Sequence, residues 1–421
     1  MTFLKKQVVA LLLWSQKYTK ADMLYIARGG FWIAFAQALN GLLSLILIVA
    51  FANLLPKETY GLYRYILSIA GILTIFTLTG MNSAVSRAVA KGEDGILRPA
   101  VHYQLKWNAM MAVACMIVGV YYYINDNTVF AFSFMTLAIF TPLTLAFNTY
   151  SAFLEGKKEF KRANILNIAS TLTYTIGTLA LLFITDNVVW LIGIYASATF
   201  IPAFVFYLYI LRTFKPPTEP SAETMKFGRE LTYLRMMDPI IGQIDKIILG
   251  HFWGPAHLAT YTLALAIPNR ITLFIKSWVT VGFPKFSTKT ATEINSVFKK
   301  RVFQGLLLGS LIAFLYACAV PVLFTYVLPQ YLDSIFYAQL LGIGIIFALP
   351  NRYMTLLFTS QGESKRLFTR TFVMSITNIT LCVILGIQGG ILGLVIAHIL
   401  FHMYGFCLNI YMWRQLIKKS A

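Results

Sequence analysis

Ionisable side chains inside long apolar stretches are the residues of this sequence most able to do chemistry. Asp238 and Asp245 stand seven positions apart, so on a helix they share one face, and Asn378 adds an amide oxygen in a later apolar stretch. Oxygen ligands of this kind suit a hard cation. Asp245, Asp238 and Asn378 are therefore candidates for binding an ion that is coupled to the activity.

The two aspartates cannot bind one ion together on an unbroken helix. Two turns separate them, which places them about 10 Å apart along the helix axis. Pro239 and Gly242 lie between them and would permit a break that frees backbone carbonyl groups. The alternative is that Asp238 pairs with Arg235, one turn earlier, and takes no part in ion binding.

Four basic residues in similar stretches form a second group: Arg270, Lys276, Arg352 and Arg64. If these stretches cross a bilayer, each charge at its centre costs at least ~2.5–3.5 kcal/mol on insertion scales. Basic residues outnumber acidic ones here, which favours binding of an anionic ligand. The alternative is an internal ion pair, for instance Asp245 with Arg270, that only fixes packing.

Uncharged polar residues follow helical spacing in several of the same stretches. Such a stripe either lines a water-filled cavity or joins neighbouring helices, where each bond contributes ~0.6–2 kcal/mol. We interpret the stripe as cavity-lining, with helix–helix contact as the alternative. Its residues are Gln37, Asn40, Ser44, Asn148, Ser151, Asn164, Asn167, Thr171 and Tyr174.

Several other chemistries lack support in the sequence. The four cysteines lie in apolar stretches without paired spacing, which favours small core residues over a disulfide or thiolate metal site. His398 and His402 stand four positions apart but have no carboxylate close by in sequence, so we expect no metal. A phosphate-binding loop of the Gly-x-x-x-x-Gly-Lys-Ser/Thr type is absent. We therefore expect no cofactor. No gap between the apolar stretches is long enough for a soluble catalytic domain, so we also expect no enzymatic activity.

The elements that hold these residues follow from composition. Hydrophobic residues make up 58% of the chain, charged residues only 12%, and the mean hydropathy is +0.70, a pattern typical of a membrane protein. The fold class is therefore all-α and polytopic, because lipid offers no partner for free backbone groups. Twelve apolar segments are long enough to span: 29–51, 60–81, 105–124, 129–154, 163–184, 188–211, 236–253, 257–283, 303–328, 331–358, 370–387 and 389–412.

Orientation follows from the lysines and arginines. Of the 35 basic residues, 29 fall at the two termini or in the even-numbered gaps between spans, and Lys57 is the clear exception in an odd gap. Basic loops stay on the cytoplasmic side, so both termini are expected in the cytoplasm. The formal charge of +19 is thus mostly a topology signal and does not predict nucleic-acid binding.

The longest hydrophilic connection divides the spans six and six. The predicted parts are a cationic interfacial segment (1–28), two six-helix bundles (29–211 and 236–413), a cytoplasmic linker (212–235) and a cytoplasmic tail (414–421). Because six is even, both halves start inside, so the internal repeat between them would be parallel.

Several segments resemble one known family. They are Ala52-Asn-Leu-Leu-Pro-Lys-Glu-Thr-Tyr-Gly-Leu-Tyr63, Gly80-Met-Asn-Ser-Ala-Val-Ser-Arg87, Tyr150-Ser-Ala-Phe-Leu-Glu-Gly-Lys157 and Asp245-Lys-Ile-Ile-Leu-Gly250. In these the chain resembles the Wzx-type polysaccharide (O-antigen repeat-unit) flippases of the multidrug/oligosaccharidyl-lipid/polysaccharide exporter superfamily. The resemblance runs from about residue 28 to 413, and the basic lead before the first span departs from it.

The resemblance implies a transporter of the bacterial inner membrane that works by alternating access. Its cargo would be an undecaprenyl-diphosphate-linked oligosaccharide, moved from the cytoplasmic to the outer leaflet for lipopolysaccharide or other surface polysaccharide. Its partners would be that lipid-linked oligosaccharide, the bilayer, a polysaccharide polymerase and chain-length proteins. The alternatives are a cation-coupled exporter of small amphipathic compounds and a non-transporting scaffold of a polysaccharide assembly complex.

Overall fold

The computed structural model of the protein describes residues 23–280, 291–361 and 363–420, without the side chains of residues 23–29, 276–278, 280, 291–294, 364–365 and 418–420. The predicted interfacial segment 1–28 therefore falls almost entirely outside the described residues. Within them the chain is helical and contains no β-strand. The all-α fold class is confirmed.

Fifteen α-helices occur in the described residues. They are α1 (Met23–Leu54), α2 (Lys57–Leu73), α3 (Met81–Ala90), α4 (Leu97–Ile124), α5 (Thr128–Phe147), α6 (Thr149–Gly156), α7 (Phe160–Leu182), α8 (Val188–Phe214), α9 (Ala222–Leu234), α10 (Asp238–Ile241), α11 (Ile244–Phe252), α12 (Pro255–Thr280), α13 (Ala291–Val327), α14 (Ser334–Ser360) and α15 (Ser364–Ser420).

Helix starts are set by local sequence where an Asn or Ser precedes the first turn. The side chain of Asn127 accepts a hydrogen bond from the backbone N–H of Phe130 at the start of α5, and Asn187 caps α8 by accepting from Val189. Ser221 caps α9 in the same way. These side chains satisfy backbone N–H groups that have no partner within the helix.

The chain divides into two compact units, and α2 is shared between them. The first unit holds residues 1–55 and 66–243, and the second holds 56–65 and 244–421. In the first, Met81, Val85, Leu97, Phe153 and Ile210 form a core between α3, α4, α6 and α8. This core holds α3 against α6, which positions the candidate site described below.

The second unit has its own apolar core, built by α13, α14 and α15. The ring of Phe298 stacks on that of Trp413 with 5.0 Å between centroids, and Met354 and Phe358 are fully buried beside them. Close packing of such large side chains stabilises this end of the unit.

Ten helices in the described residues are long and apolar enough to cross a membrane, and the difference from the predicted twelve has two causes. The predicted seventh span, 236–253, is interrupted: α10 ends at Ile241 and α11 begins at Ile244. Gly242 lies at this interruption and Pro239 at the start of α10, so the chain is broken between Asp238 and Asp245, as these two residues would permit.

The second cause is that predicted spans eleven and twelve run on as one element, α15. Its backbone turns at Gly390, which has φ 55° and ψ −132°, a conformation that residues with a Cβ rarely adopt. A Cβ there would lie 2.9 Å from the ring of Trp253, whose indole N–H donates to the carbonyl of Gly386 at 3.1 Å. Gly390 is therefore the point at which the two predicted spans separate.

Part of the predicted linker is an ordered element of the first unit. Residues 222–234 form α9, and the hydroxyl of Thr232 accepts a hydrogen bond from the backbone N–H of Gly80 at 3.0 Å. The N–H of Glu219 also bonds to the carbonyl of Gly95. This stretch of the connection therefore packs against α3 and the loop that follows it.

Candidate functional site

A polar cavity of about 460 Å³ opens in the first unit between α3 and α6, and we call it the α3–α6 cavity. This volume lies within the ~300–1,000 Å³ range of small-molecule sites. Its lining includes one cation and one carboxylate. The lining residues are Asn82, Ser83, Ser86, Arg87, Ala90, Asn148, Ser151, Ala152 and Glu155.

Helical spacing on α3 places four of these side chains together. Asn82 with Ser86, and Ser83 with Arg87, are i, i+4 pairs, so they form one polar face while Ala84, Ala88 and others pack into the core. The opposite wall comes from α6 and from Asn148, which interrupts the helix between α5 and α6. The sequence thus builds both walls from short helices with one polar side each.

The two walls approach closely at Gly156. A Cβ at this position would lie 2.6 Å from the backbone oxygen of Ser86 and 2.8 Å from the Cβ of Val89. Glycine is therefore required where α6 meets α3, and this contact fixes the separation of the two walls.

A buried chain of hydrogen bonds supports the cavity from behind. The amide of Gln104 on α4 donates to the hydroxyl of Thr149 at 2.6 Å, and that hydroxyl donates to the side-chain oxygen of Asn82 at 3.0 Å. Gln104 is 3% exposed and Thr149 is fully buried. Because the donors run in one direction, the chain fixes the orientation of the Asn82 amide.

The predicted polar stripe serves two different purposes in the structure. Asn148 and Ser151 line the α3–α6 cavity. Asn40 instead donates to the side-chain oxygen of Asn167 at 2.6 Å, which joins α1 to α7. Both alternatives drawn from the sequence, cavity lining and helix–helix contact, therefore occur, at different residues.

The other stripe residues lie away from this cavity. Asn164 donates to the carbonyl of Phe160, and Thr171 donates to the carbonyl of Asn167, both on their own helix. The ring of Tyr174 contacts that of Tyr195 on α8 with 5.6 Å between centroids. Gln37 is exposed and Ser44 half-buried on α1.

In the second unit, Asp245 is the centre of a small polar cluster. The hydroxyl of Tyr261 on α12 donates to the Asp245 carboxylate at 3.0 Å, and the ammonium of Lys246 lies 3.9 Å from it. The thiol of Cys382 is close enough to Asp245 for an electrostatic interaction between them. The same thiol donates to the side-chain oxygen of Asn378 at 3.7 Å. Two of the three ion-coupling candidates, Asp245 and Asn378, thus share a neighbourhood.

The third ion-coupling candidate, Asp238, belongs to the first unit. Asp238 is exposed at the start of α10 and groups with the first unit, whereas Asp245 groups with the second. Its backbone N–H bonds to the carbonyl of Arg235. Of the residues that the structure describes, no group of three or more His, Cys, Asp or Glu side chains is placed to hold a metal.

A cationic cluster lies at the facing ends of α14 and α15. Arg352 is exposed on α14 and close enough to Arg370 on α15 for their positive charges to interact. The Nε–H of Arg370 donates to the side-chain oxygen of Asn409 at 2.6 Å, and the amide of Asn409 donates to that of Asn351 at 3.0 Å. Two buried amides therefore hold the guanidinium of Arg370 in place.

The remaining basic candidates are spread over α2 and α12. Arg64 belongs to the stretch of α2 that groups with the second unit, and its charge acts on Lys246. Arg270 is half-buried on α12, and the side chain of Lys276 lies outside the described residues. The predicted pairing of Asp245 with Arg270 stays a prediction.

The two histidines singled out on the last span face each other. His398 and His402 on α15 have their Nε2 atoms 3.1 Å apart, so one ring donates to the other. The backbone carbonyl of His402 also accepts from the amide of Asn351. This contact places the pair next to the amides that hold Arg370.

Comparison with known sequences decides the family. A profile of the family described as "Polysaccharide biosynthesis protein" matches residues 26–290, more than half of the chain. The chain belongs to this polysaccharide biosynthesis protein family. The matched range contains every residue that lines the α3–α6 cavity, and it ends before Arg352 and Arg370.

One relative of this chain agrees with the family assignment. A Shigella flexneri protein named "Putative O-antigen transporter" is 22% identical over 312 residues, which cover 68% of this chain and 72% of that protein. The resemblance to Wzx-type flippases drawn from the sequence is therefore confirmed at the level of the family.

Solved structures show the fold of this family member. The lipid II flippase MurJ in an inward closed conformation matches with a TM-score of 0.67 at 14% identity, covering 92% of this chain and 87% of that one. An inward-facing multidrug resistance MATE transporter of the MOP superfamily matches with a TM-score of 0.63 at 15% identity, covering 91% and 96%. At such identities the likeness concerns the fold.

The α3 wall and the second arginine, Arg370, are not among the candidates that the sequence pattern of this family member singles out. Asn82, Ser86 and Arg87 lie in one of the segments that resemble the flippase family, and the i, i+4 pairs Asn82–Ser86 and Ser83–Arg87 are the signal of a polar face. Arg370 is one of the 29 basic residues of the termini and even-numbered gaps, so the charge pattern alone assigns it to topology. Its partner Asn409 stands 39 positions away, a distance that no local pattern spans.

Proposed function

We propose that this chain is a flippase that moves an undecaprenyl-diphosphate-linked oligosaccharide from the cytoplasmic to the outer leaflet of the inner membrane. Membership of the polysaccharide biosynthesis family and the transporter fold support this proposal. The chain then acts as a carrier and not as an enzyme, and both of its termini lie in the cytoplasm. It delivers lipid-linked oligosaccharide for surface polysaccharide biosynthesis.

The observation that carries the proposal is the pair formed by Arg352 and Arg370. Neither arginine forms an ion pair with a carboxylate among the described residues, whereas the neighbouring Arg366 lies 3.0 Å from Glu363. Two guanidinium groups in membrane-crossing helices need an anion to offset their desolvation. A diphosphate accepts paired N–H···O bonds from each of them.

The arrangement around Arg370 suits such an anion. Asn409 is fully buried and accepts from the Nε–H, so the terminal nitrogens of the guanidinium are the atoms available to a ligand. Both arginines lie near the loop between α14 and α15, which the basic-residue pattern predicts to be cytoplasmic. A lipid-linked diphosphate made in the cytoplasm would reach this end first.

The membrane potential would favour the loaded step. With an inside-negative potential, moving each negative charge outward gains ~2.3 kcal/mol per 100 mV. The return of the empty carrier is then the step at which a coupled cation contributes. The cluster of Asp245, Tyr261 and Asn378 is our candidate for that cation.

Transport by purified protein in liposomes tests the proposal. A lipid-linked oligosaccharide is placed in one leaflet, and its appearance in the other is followed with an impermeant lectin. We expect Arg352→Ala and Arg370→Ala each to slow transport at least about tenfold, and Arg352→Lys to slow it less, because lysine keeps the charge but loses the paired bonds.

The matched control is Arg414→Ala, which removes an exposed arginine from the same helix α15 and should leave transport unchanged. Normal transport by the Arg352→Ala/Arg370→Ala double variant would exclude these residues as the diphosphate site. Lack of transport by the wild-type protein, under conditions where a known flippase is active, would contradict the function itself.

A second candidate is a cation-coupled exporter of small amphipathic compounds. The fold match to MATE transporters favours it, as does the carboxylate cluster at Asp245. Efflux of an amphipathic dye from the same liposomes separates the two. Dye efflux without movement of lipid-linked sugar would support the exporter.

A further inference from the structure

The α3–α6 cavity combines opposite charges that do not neutralise each other. Arg87 on α3 and Glu155 on α6 both line it, yet no ion pair joins them among the residues that the structure describes. The guanidinium of Arg87 instead lies over the ring of Phe227, 4.5 Å from its centroid. That contact covers one face of the guanidinium and leaves its N–H edge to donate.

Charge decides which class of ligand such a cavity accepts. A phosphate or other acid would be attracted by Arg87 but repelled by the Glu155 carboxylate. An amine would be attracted by Glu155 but repelled by Arg87. An uncharged polyol avoids both conflicts, because each hydroxyl donates to a carboxylate and accepts from a guanidinium or amide. Ser83, Ser86 and Ser151 add three hydroxyl groups that act in either sense.

The buried chain behind the cavity fixes which group Asn82 presents. Its side-chain oxygen accepts from Thr149, so the NH₂ group is the part that remains for a ligand. Thr149 in turn is oriented by Gln104, and both are removed from water. Asn82 is therefore a donor in the cavity, complementary to the acceptor Glu155.

We propose that the α3–α6 cavity is a binding site for an uncharged hexose, in which Asn82 and Arg87 donate to sugar oxygens and Glu155 accepts from adjacent sugar hydroxyls. The inference rests on the proposed function, because it names the part of the cargo that this unit recognises. No aromatic side chain is among the described lining residues, so we expect weak binding, roughly millimolar, which suits a carrier that must release its cargo.

Binding of free sugars to the purified full-length protein in detergent tests this inference. The probes are glucose, galactose, mannose and N-acetylglucosamine, with glucuronate and inorganic phosphate as charged comparisons, followed by saturation-transfer NMR. We expect at least one uncharged hexose to bind, and Glu155→Gln or Asn82→Ala to weaken it about tenfold. Glucuronate and phosphate should bind less well than the preferred hexose.

Thr149 provides a test of the orienting chain. Thr149→Val removes the hydroxyl and should weaken sugar binding, whereas Thr149→Ser keeps the donor and should retain it. The matched control Glu159→Gln removes a carboxylate just beyond α6 that lies 3.8 Å from Arg162 and lines no part of the cavity, so binding should not change. Thermal unfolding of each variant shows whether it is folded.

Three results would overturn the inference. The first is that folded wild-type protein binds no hexose, and the second is that hexose binding is unchanged in folded Glu155→Gln and Asn82→Ala. The third is that the cavity binds phosphate, that this binding competes with sugar, and that Glu155→Gln strengthens it. The liposome assay is separate from this one. Wild-type protein that flips lipid-linked oligosaccharide without binding hexose at this cavity would refute the sugar site alone, whereas hexose binding without flipping would refute the proposed function alone.

Discussion

The ammonium of Lys57 lies 2.9 Å from each carboxylate oxygen of Asp333, a residue 276 positions later in the chain. The hydroxyl of Thr260 donates to the same carboxylate at 3.2 Å, and Lys57 also lies over the ring of Tyr331. Lys57 is the exception to the charge pattern of the loops, and Asp333 is predicted to share its side of the membrane. The exception therefore carries its own counter-ion.

We expect the Lys57–Asp333 pair to contribute modestly to stability. The two side chains are 29% and 51% exposed, and such pairs contribute ~0.2–1 kcal/mol. A double-mutant cycle with Lys57→Ala and Asp333→Asn, measured by thermal unfolding in detergent, should give a coupling energy in that range. Glu58→Gln on the same turn is the control, and strictly additive single effects would show that the pair contributes nothing.

The alternation of basic loops predicts the topology. Reporter fusions should place four lysines in the cytoplasm and three loop residues outside. The cytoplasmic sites are Lys158, Lys226, Lys300 and Lys365, and the outer sites are Asn125, Asn187 and Asp333. Lys57→Ala should leave this pattern unchanged, because Asp333 already neutralises the charge. Two neighbouring sites found on reversed sides would refute the assignment.

Gly156→Ala should damage the α3–α6 cavity. The new Cβ would lie 2.6 Å from the oxygen of Ser86, so α3 and α6 must separate, and such overpacking typically costs ~1–3 kcal/mol. We expect a lower unfolding temperature and weaker sugar binding. The control is Gly193→Ala on α8, where nothing lies within 4 Å and alanine should stabilise the helix by ~0.5–1 kcal/mol. Equal effects of both changes would contradict the close contact.

The cluster around Asp245 predicts an effect of ion gradients on transport. Dissipating the sodium and proton gradients together should slow the wild-type protein in liposomes. Asp245→Asn should abolish this gradient-driven transport, and Tyr261→Phe, which removes the 3.0 Å hydrogen bond to the carboxylate, should weaken its dependence on the gradients. Wild-type transport that ignores both gradients would leave Asp245 a structural role.

Variants of Arg270 and Asp245 test whether these two residues form an internal ion pair. Asp245→Asn and Arg270→Ala should each abolish complementation of a flippase-deficient strain while the protein still reaches the membrane. A double variant that works as well as the wild type would instead favour an internal ion pair that only fixes packing. Membrane fractions probed for the protein separate loss of activity from loss of folding.

Local sequence was sufficient to determine the fold class, whereas the orientation of the spans stays a prediction. A helix in lipid satisfies its own backbone, so apolar length alone locates a span, and neighbouring charges orient it. The break before Asp245 was also local, because Pro239 and Gly242 lie within the segment that they interrupt. The continuation through Gly390 was not, since the ring of Trp253, which directly follows α11, packs against this glycine from a distant part of the chain.

Only the tertiary structure decided which polar residues meet. Helical spacing placed Asn148 and Asn167 on polar stripes alike, yet Asn148 lines a cavity while Asn167 bonds to Asn40. Periodicity identifies the face of a helix but not what that face contacts. Asn82 and Glu155 come together because Gly156 lets α6 approach α3, a fact of packing between distant segments that neither segment encodes by itself.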